Sequence, residues 1–344
     1  MKVKVGLETV VSFFPEMVVT AKDQAYLEPV IPEMLRGKIR FPDQVRRFRN
    51  NDNAAEILGE KVAQKALDRA GLKPSDIDYI IANNCGGRLT APMIGGYIHY
   101  KLGFREDTPT INVANACASF IDACEMARNI ILAGEYRRVL VVAVTAMETS
   151  GGSARVDLTD PLCAIMGDGA GAAIVSSQNL KCEFISYFSR TFGEVYDWSA
   201  VDIRRPVNPG LKGAPPQPEV SAYFYGTPQF FDWWQRVGPR FGIDGFNGAL
   251  KRANLNLSDI DVIISHQPAD MLYDMWIDGA EKAGVPKNKW RHTWDKYGNL
   301  AGAVVPVNLA EFWEAGEFKK DSIMAWIAIG AGGHAPTMIV RWLV

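Results

Sequence analysis

One sixteen-residue segment occurs twice in this chain. Ala66-Leu-Asp-Arg-Ala-Gly-Leu-Lys-Pro-Ser-Asp-Ile-Asp-Tyr-Ile-Ile81 returns as Ala249-Leu-Lys-Arg-Ala-Asn-Leu-Asn-Leu-Ser-Asp-Ile-Asp-Val-Ile-Ile264, with 11 of 16 residues identical. A second echo keeps almost the same spacing: Ala133-Gly-Glu-Tyr-Arg-Arg138 matches Ala315-Gly-Glu-Phe-Lys-Lys320. The offsets are 183 and 182, so two distant matches share one register. A solenoid would need at least three shorter repeats, and two copies of this length instead predict a duplicated α/β fold with halves 1–180 and 181–344. At 344 residues, 48% of them apolar, each half can bury its own core.

Local patterns divide each copy. Residues 2–12 alternate as a strand, residues 54–70 have helical periodicity ended by Gly71, and residues 77–82 form a short apolar run suited to a buried strand. Thr108–Val113 is β-branched and leads to Asn115-Ala116-Cys117-Ala118-Ser119. After that, Ile121, Ala123, Met126, Ile130 and Leu132 recur at helical spacing as far as Gly134. Cys117 therefore falls at a helix N-terminus, where unpaired N–H groups favour an anion and lower a thiol's resistance to losing its proton. The same residue type also suits a tight buried contact between helix and sheet.

The repeat register links distant residues. Adding 182 to Cys117 reaches Asn299 in Tyr297-Gly298-Asn299, and adding 183 to Asn83 reaches His266, after the second repeated strand. Ligand sites of open α/β sheets lie beyond strand carboxyl ends, so Cys117, His266 and Asn299 are expected to converge on one pocket. Gly167-Asp-Gly169-Ala-Gly-Ala172 and Gly330-Ala331-Gly332-Gly-His334-Ala335 both fit GxGxxA, but each runs into a strand rather than a helix, which rejects a dinucleotide fingerprint. The second stretch is placed to offer a backbone N–H to an oxyanion.

Other stretches carry two readings each. Arg36, Lys38, Arg40, Arg46, Arg47 and Arg49 have only Asp43 among them as a counter-charge, so this is either a solvated face or a collar for phosphates or an acidic carrier protein. Residues 201–228 hold a Pro-rich run expected as a surface loop. Phe230, Phe231, Trp233 and Trp234 form either a core helix or an apolar substrate wall. A net charge of −2 argues against generic nucleic-acid binding, and no apolar run reaches the ~20 residues of a membrane span. Five cysteines without CxxC spacing, and a start without a signal-peptide pattern, predict a soluble cytoplasmic protein with no metal site.

Taken together, Ala116-Cys117-Ala118-Ser119-Phe120, Met166-Gly-Asp-Gly-Ala-Gly-Ala172, His266-Gln267, Tyr297-Gly298-Asn299 and Gly330-Ala331-Gly332 through Val340-Arg341-Trp342 resemble the thiolase superfamily. They most resemble its β-ketoacyl-acyl-carrier-protein synthase III group, in the family order and over nearly the whole chain. The resemblance implies a five-layered α-β-α-β-α thiolase fold and a homodimer, with or without an additional subunit. It implies an acyltransferase that needs no bound cofactor and takes coenzyme A thioesters, with acyl-CoA or acyl-carrier protein as its partners. By the same resemblance Cys117 accepts the acyl group, His266 and Asn299 hold the second thioester, and backbone N–H groups of Cys117 and of Ala331 or Gly332 form the oxyanion hole. Arg36, Arg40, Trp234 and His334 are further candidates for substrate contact, His334 through a carboxylate on the acyl group.

Some positions depart from the family pattern. Pro161, Ala269 and Met271 stand where initiating fatty-acid synthases carry Arg, Asn and Arg, and Ala331 replaces the middle glycine of a Gly-Gly-Gly turn. No cysteine follows Cys182, so the second catalytic cysteine of common thiolases is missing, and no glutamate lies between Asn83 and Arg88 as in hydroxymethylglutaryl-CoA synthases. A thiolytic enzyme and a non-catalytic partner subunit are the alternative readings.

Overall fold

The protein is described here from a computed structural model covering residues 3–31, 33, 36–37, 39–48, 53–87, 89, 91–147, 164–206 and 220–344, without the side chains of 201–206 and 220–225. Ten strands form the main sheet. The first five are β1 (Gly6–Phe13), β2 (Tyr79–Gly86), β3 (Thr110–Asn112), β4 (Arg138–Ala146) and β5 (Gly169–Ser176). The second five are β6 (Cys182–Thr191), β7 (Val262–Ser265), β8 (Trp290–Arg291), β9 (Ile323–Ile327) and β10 (His334–Trp342). Their order is β8-β7-β9-β10-β6-β1-β5-β4-β2-β3, so each half runs third, second, fourth, fifth, first. The directions agree as well: β2 is parallel to β3 and β4, as β7 is to β8 and β9, and the remaining pairs within each half are antiparallel. The halves are stitched edge to edge where Gly6 and Leu7 pair with Glu183 and Cys182.

The helices are α1 (Ala54–Ala70), α2 (Gly95–Leu102), α3 (Ser119–Ala133), α4 (Pro228–Ala253), α5 (Asp270–Lys282) and α6 (Val304–Glu314). Their layering follows from which way strand side chains point. In β4, Val139, Val141 and Ala143 join the core around α3 and α6, while Leu140, Val142 and Val144 join the core under α1 and α2. In β9, Met324 and Trp326 face the same middle core, and Ile323, Ala325 and Ile327 face α4 and α5. Successive strand residues point to opposite faces, and a strand covered on both sides must be apolar throughout. The result is the expected five-layered thiolase fold, α1/α2, sheet, α3/α6, sheet, α4/α5, built from two copies of one unit.

The two copies share local detail where their sequences agree. Gly71 caps α1 and Asn254 caps α4, both in the left-handed region, which these two residue types tolerate best. At Cys117 the expected register needs correction. Ala116 and Ala301 share an unusual positive φ, 46° and 43°, and each opens a single 3-10 turn leading into α3 or α6. The offset there is 185, so Cys117 corresponds to Gly302, and Asn299 corresponds to Ala114. The offset of 182 holds at the far ends of these helices, Gly134 and Gly316, because α3 has 15 residues before its glycine and α6 with its cap Ala315 has 12.

One other expectation changes. Residues 199–206 and 220–226 pair as an antiparallel ribbon rather than a loop, since Val220-Ser-Ala-Tyr-Phe-Tyr225 is strongly β-prone despite the prolines before it. Residues 207–219, like Pro161 and Cys163, lie outside the described residues. Among the described residues no helix is long and apolar enough to cross a membrane, and no group of side chains could hold a metal ion.

Candidate active site

Cys117 lies in the turn between β3 and α3. Ala116, before it, is held in the left-handed region, a conformation costing of order 1 kcal/mol for a residue with a Cβ. The turn is stabilised locally: Ser119 Oγ accepts Asn115 N–H at 3.0 Å and donates to Ala116 O at 2.8 Å, and Ala118 N–H donates to Asn115 O at 3.0 Å. The cysteine lines a pocket with His266, Asn299, Pro268 and Gly330–Ala331, walled by Phe230, Trp234, Leu272, Val195 and Ile329.

His266 follows the carboxyl end of β7, and its main-chain N–H continues the ladder to Ile327 O at 2.8 Å. Next to it, Gln267 is spent on the scaffold, accepting Thr293 N–H at 3.0 Å and donating to Gly298 O at 2.8 Å. His266 Nε2 and Asn299 Oδ1 are 3.2 Å apart. That oxygen also accepts Ala301 N–H at 2.8 Å, so it is an acceptor and the imidazole nitrogen facing it carries the proton. Asn299 Nδ2 donates to Pro268 O at 3.0 Å. The main chain of Asn299 is pinned on both sides, its N–H to Ile165 O and its O to Gly167 N–H, each at 3.0 Å. Gly298 makes that approach possible, because a Cβ there would sit 2.3 Å from Ile165 O. The Gly-rich stretch after Met166 thus positions Asn299.

Burial dominates the titration of His266 and Cys117. His266 is 2% exposed, and desolvation lowers its pKa to about 4, against a smaller upward pull from Asn299, so the ring is neutral near pH 7. Burial likewise pushes the Cys117 thiol well above its ordinary value, with neighbouring Cys85 adding to the shift. This runs against the expectation of an easily ionised thiol, because desolvation outweighs the main-chain hydrogen bond that favours the thiolate.

The remaining candidates separate. Trp234 and Phe230 line the pocket, whereas Phe231 and Trp233 pack into the aromatic core behind them. Arg36 is exposed and donates to Ile31 O, and Arg40 pairs with Asp295 and, at 3.8 Å, with Asp270; neither lines the pocket. Arg40 therefore has counter-charges from distant parts of the chain that Asp43 alone did not suggest, Arg47 is buried against Ala164 O, and Lys38 and Arg49 lie outside the described residues. His334 is not part of the pocket lining and bonds Asp122 on α3 at 3.1 Å. Gly332 N–H is already donated to Ser199 O at 3.0 Å, which removes it as an oxyanion donor. The amides of Gly330 and Gly333 are committed to His334 O and Gly330 O, leaving Ala331 as the candidate donor of this turn. Val195, Ser199, Leu272 and Ile329 were not singled out in the sequence, since lone apolar or hydroxyl residues carry no spacing signal.

Two copies of one unit meeting at a pocket with a cysteine on one side and a histidine and asparagine on the other define a thiolase-fold condensing enzyme. Residues 111–193 match the family described as 3-oxoacyl-[acyl-carrier-protein (ACP)] synthase III, and residues 250–342 match its C-terminal part. The chain belongs to the synthase III family. Its relatives include the β-ketoacyl-[acyl-carrier-protein] synthases III of Staphylococcus saprophyticus, 26% identical over 298 residues and 86% of each chain, and of Clostridium acetobutylicum, 25% identical over 337 residues and 96% of each. Among solved structures, synthase III from Aquifex aeolicus superposes with a TM-score of 0.81 at 21% identity, covering 98% of this chain and 100% of that one. Cerulenin-bound OleA from Xanthomonas campestris gives 0.80 at 19% identity, covering 98% and 97%.

Proposed function

We propose that this protein joins two acyl thioesters through an acyl-enzyme on Cys117, with acyl-CoA as the first substrate. The observation that carries the reading is the convergence of Cys117, His266 and Asn299 on one apolar-walled pocket. In the first step Cys117 Sγ attacks the thioester carbonyl, the bond to CoA sulfur breaks, and CoA leaves with the thiol proton. The oxyanion formed in between is held by the N–H groups of Cys117 and Ala331. A thiolate attacks a thioester well and is itself a good leaving group, so the condensation is divided into two easier steps. In the second step a malonyl-type thioester loses carbon dioxide, and the electron pair left on its α-carbon spreads onto the thioester oxygen. His266 Nε2–H and Asn299 Nδ2–H stabilise that enolate. Both donors turn from their resting acceptors, Asn299 Oδ1 and Pro268 O, to the substrate. With a pKa near 4, His266 is a neutral donor that does not quench the carbanion by giving up its proton. Attack on the acyl-Cys117 carbonyl forms the carbon–carbon bond and releases the thiolate.

The thiolytic and scaffold readings are not favoured, since the relatives from Staphylococcus saprophyticus and Clostridium acetobutylicum carry a synthase name. Four described cysteines are free thiols, which suits the cytoplasm; a homodimer and the division into halves at residue 180 complete the reading. Intact-protein mass spectrometry after incubation with a panel of acyl-CoA thioesters tests it. A mass gain equal to the acyl group, absent in Cys117→Ala, is expected, and no gain with any donor overturns the reading.

The apolar pocket wall suits an uncharged first acyl group whose length Phe230 and Trp234 limit. α4 is 26 residues long against 17 for α1, and by the repeat offset the counterpart of Ala54 is Val237. Residues 228–236 are thus an extension that the other half lacks, and they bring Phe230 and Trp234 to the pocket. Replacing Trp234 with Leu removes ring volume while keeping the site apolar. Because a single methylene in such a pocket is worth roughly 10- to 200-fold, labelling by acyl-CoA two or more carbons longer than the wild-type preference is expected to rise at least ~10-fold in Trp234→Leu. An unchanged chain-length profile would place the acyl chain elsewhere.

A further inference from the structure

Asp122, in the first turn of α3, is a 7% exposed carboxylate used by three donors from three parts of the chain. Asn115 Nδ2 reaches Oδ2 at 2.7 Å, and Tyr187 OH and His334 Nε2 reach Oδ1 at 2.8 and 3.1 Å. Asn115 leads directly into Ala116-Cys117. His334 begins β10, closes the Gly330–Gly333 turn by accepting Gly330 N–H on its carbonyl at 2.8 Å, and fixes its ring through Thr191 Oγ1 at 3.2 Å. The two turns also touch: a Cβ on Gly330 would lie 2.4 Å from Asn115 O, so only glycine lets them approach this closely. A carboxylate this buried is costly unless its oxygens are satisfied, so the cluster holds together as a unit.

We propose that Asp122 and His334 form a positioning clamp, setting the distance between the Cys117 and Ala331 amides by holding the nucleophile turn through Asn115 and the facing turn through His334. Neither residue touches the substrate. The inference rests on the acyl-enzyme reading above. Oxyanion donors act only when preorganised at the distance the developing charge requires, so losing the clamp slows acyl transfer without removing either amide. The proximity of Asp122 raises the pKa of His334, which strengthens the pair.

The test uses the full chain and compares two reactions of the same sulfur. Alkylation of Cys117 by iodoacetamide passes through no oxyanion and reads only the thiol's access and reactivity. Acyl transfer from acyl-CoA needs both. In His334→Ala and Asp122→Asn the acyl-transfer rate is expected to fall at least ~10-fold, with KM for acyl-CoA within about 2-fold and the alkylation rate near wild type. His334→Gln, which keeps a side-chain N–H donor, is expected to recover part of the loss seen in His334→Ala. Acyl transfer within 2-fold of wild type in His334→Ala overturns the clamp, as does a fall that alkylation follows in parallel. If Asp122→Asn does not fold, the two His334 variants decide alone. Failure of the unmodified chain to transfer any acyl group would remove the acyl-enzyme reading and the clamp with it, whereas normal transfer in the unmodified chain and in His334→Ala removes only the clamp.

Discussion

His266→Ala and Asn299→Ala are expected to take up an acyl group on Cys117 and then turn over at least ~100-fold more slowly than the unmodified chain. Acylation asks for the sulfur and the two backbone amides, and these variants keep all three. Condensation also asks for the two side-chain donors on the enolate, and losing one such donor typically costs about 3 to 4 kcal/mol, or ~10² to 10³ in rate. The two positions are coupled in the resting state, because Asn299 Oδ1 accepts the His266 proton. The double variant should therefore fall short of the product of the single losses, as groups acting as one unit do. Steady-state turnover beside intact-mass labelling checks both parts. Turnover of His266→Ala near wild type would show that the enolate is held by other groups.

Acid should weaken the fold through the same histidine. The folded pKa of about 4 lies below the ordinary 6.5, so between these values the unfolded chain binds a proton that the native chain refuses. Stability is then fully present above pH 6.5 and is lost as pH falls toward 4, by up to about 3 kcal/mol from this group. Burial also lowers the pKa of His292, which acts in the same direction. His334 acts oppositely, since its raised pKa contributes stability below 6.5 that is lost as pH rises through its folded value. Comparing wild type with His266→Gln removes these shared contributions. Urea unfolding at pH 7 and at pH 4.5 is expected to show wild type losing about 2 to 3 kcal/mol more than the variant, and equal losses would mean that His266 is not held neutral by burial.

The fold was legible because the duplication survives in the segments that set it. Ala66–Ile81 and Ala249–Ile264 contain a helix end, a left-handed cap and the first residues of a buried strand, each with a strict local requirement. The site was legible only in part. His266 was reached through the strand register, which has no room to slip. The offset that leads to Asn299 fails at that point, because α6 is shorter than α3 and the register shifts between helix start and helix end. Arg40 could not be interpreted from its neighbours, since Asp270 and Asp295 lie more than two hundred residues away. The role of Asp122 was equally hidden. Its three donors come from Asn115, Tyr187 and His334, and no periodicity ties them together.

The corrected register has one more consequence. Where one copy has Cys117 and the other His266, the symmetry-related places hold Gly302 and Asn83. A Cβ on Gly302 would lie 2.5 Å from Asn83 Oδ1 and 3.1 Å from Ala116 O, so that second seat is filled by the asparagine and backs directly onto the turn that carries Cys117. The copies have ceased to be interchangeable. In the proposed reaction the same unit twice becomes a division of labour, in which one copy supplies the attacking atom, the other supplies the grip, and the mirror site serves as the wall against which the working one is braced.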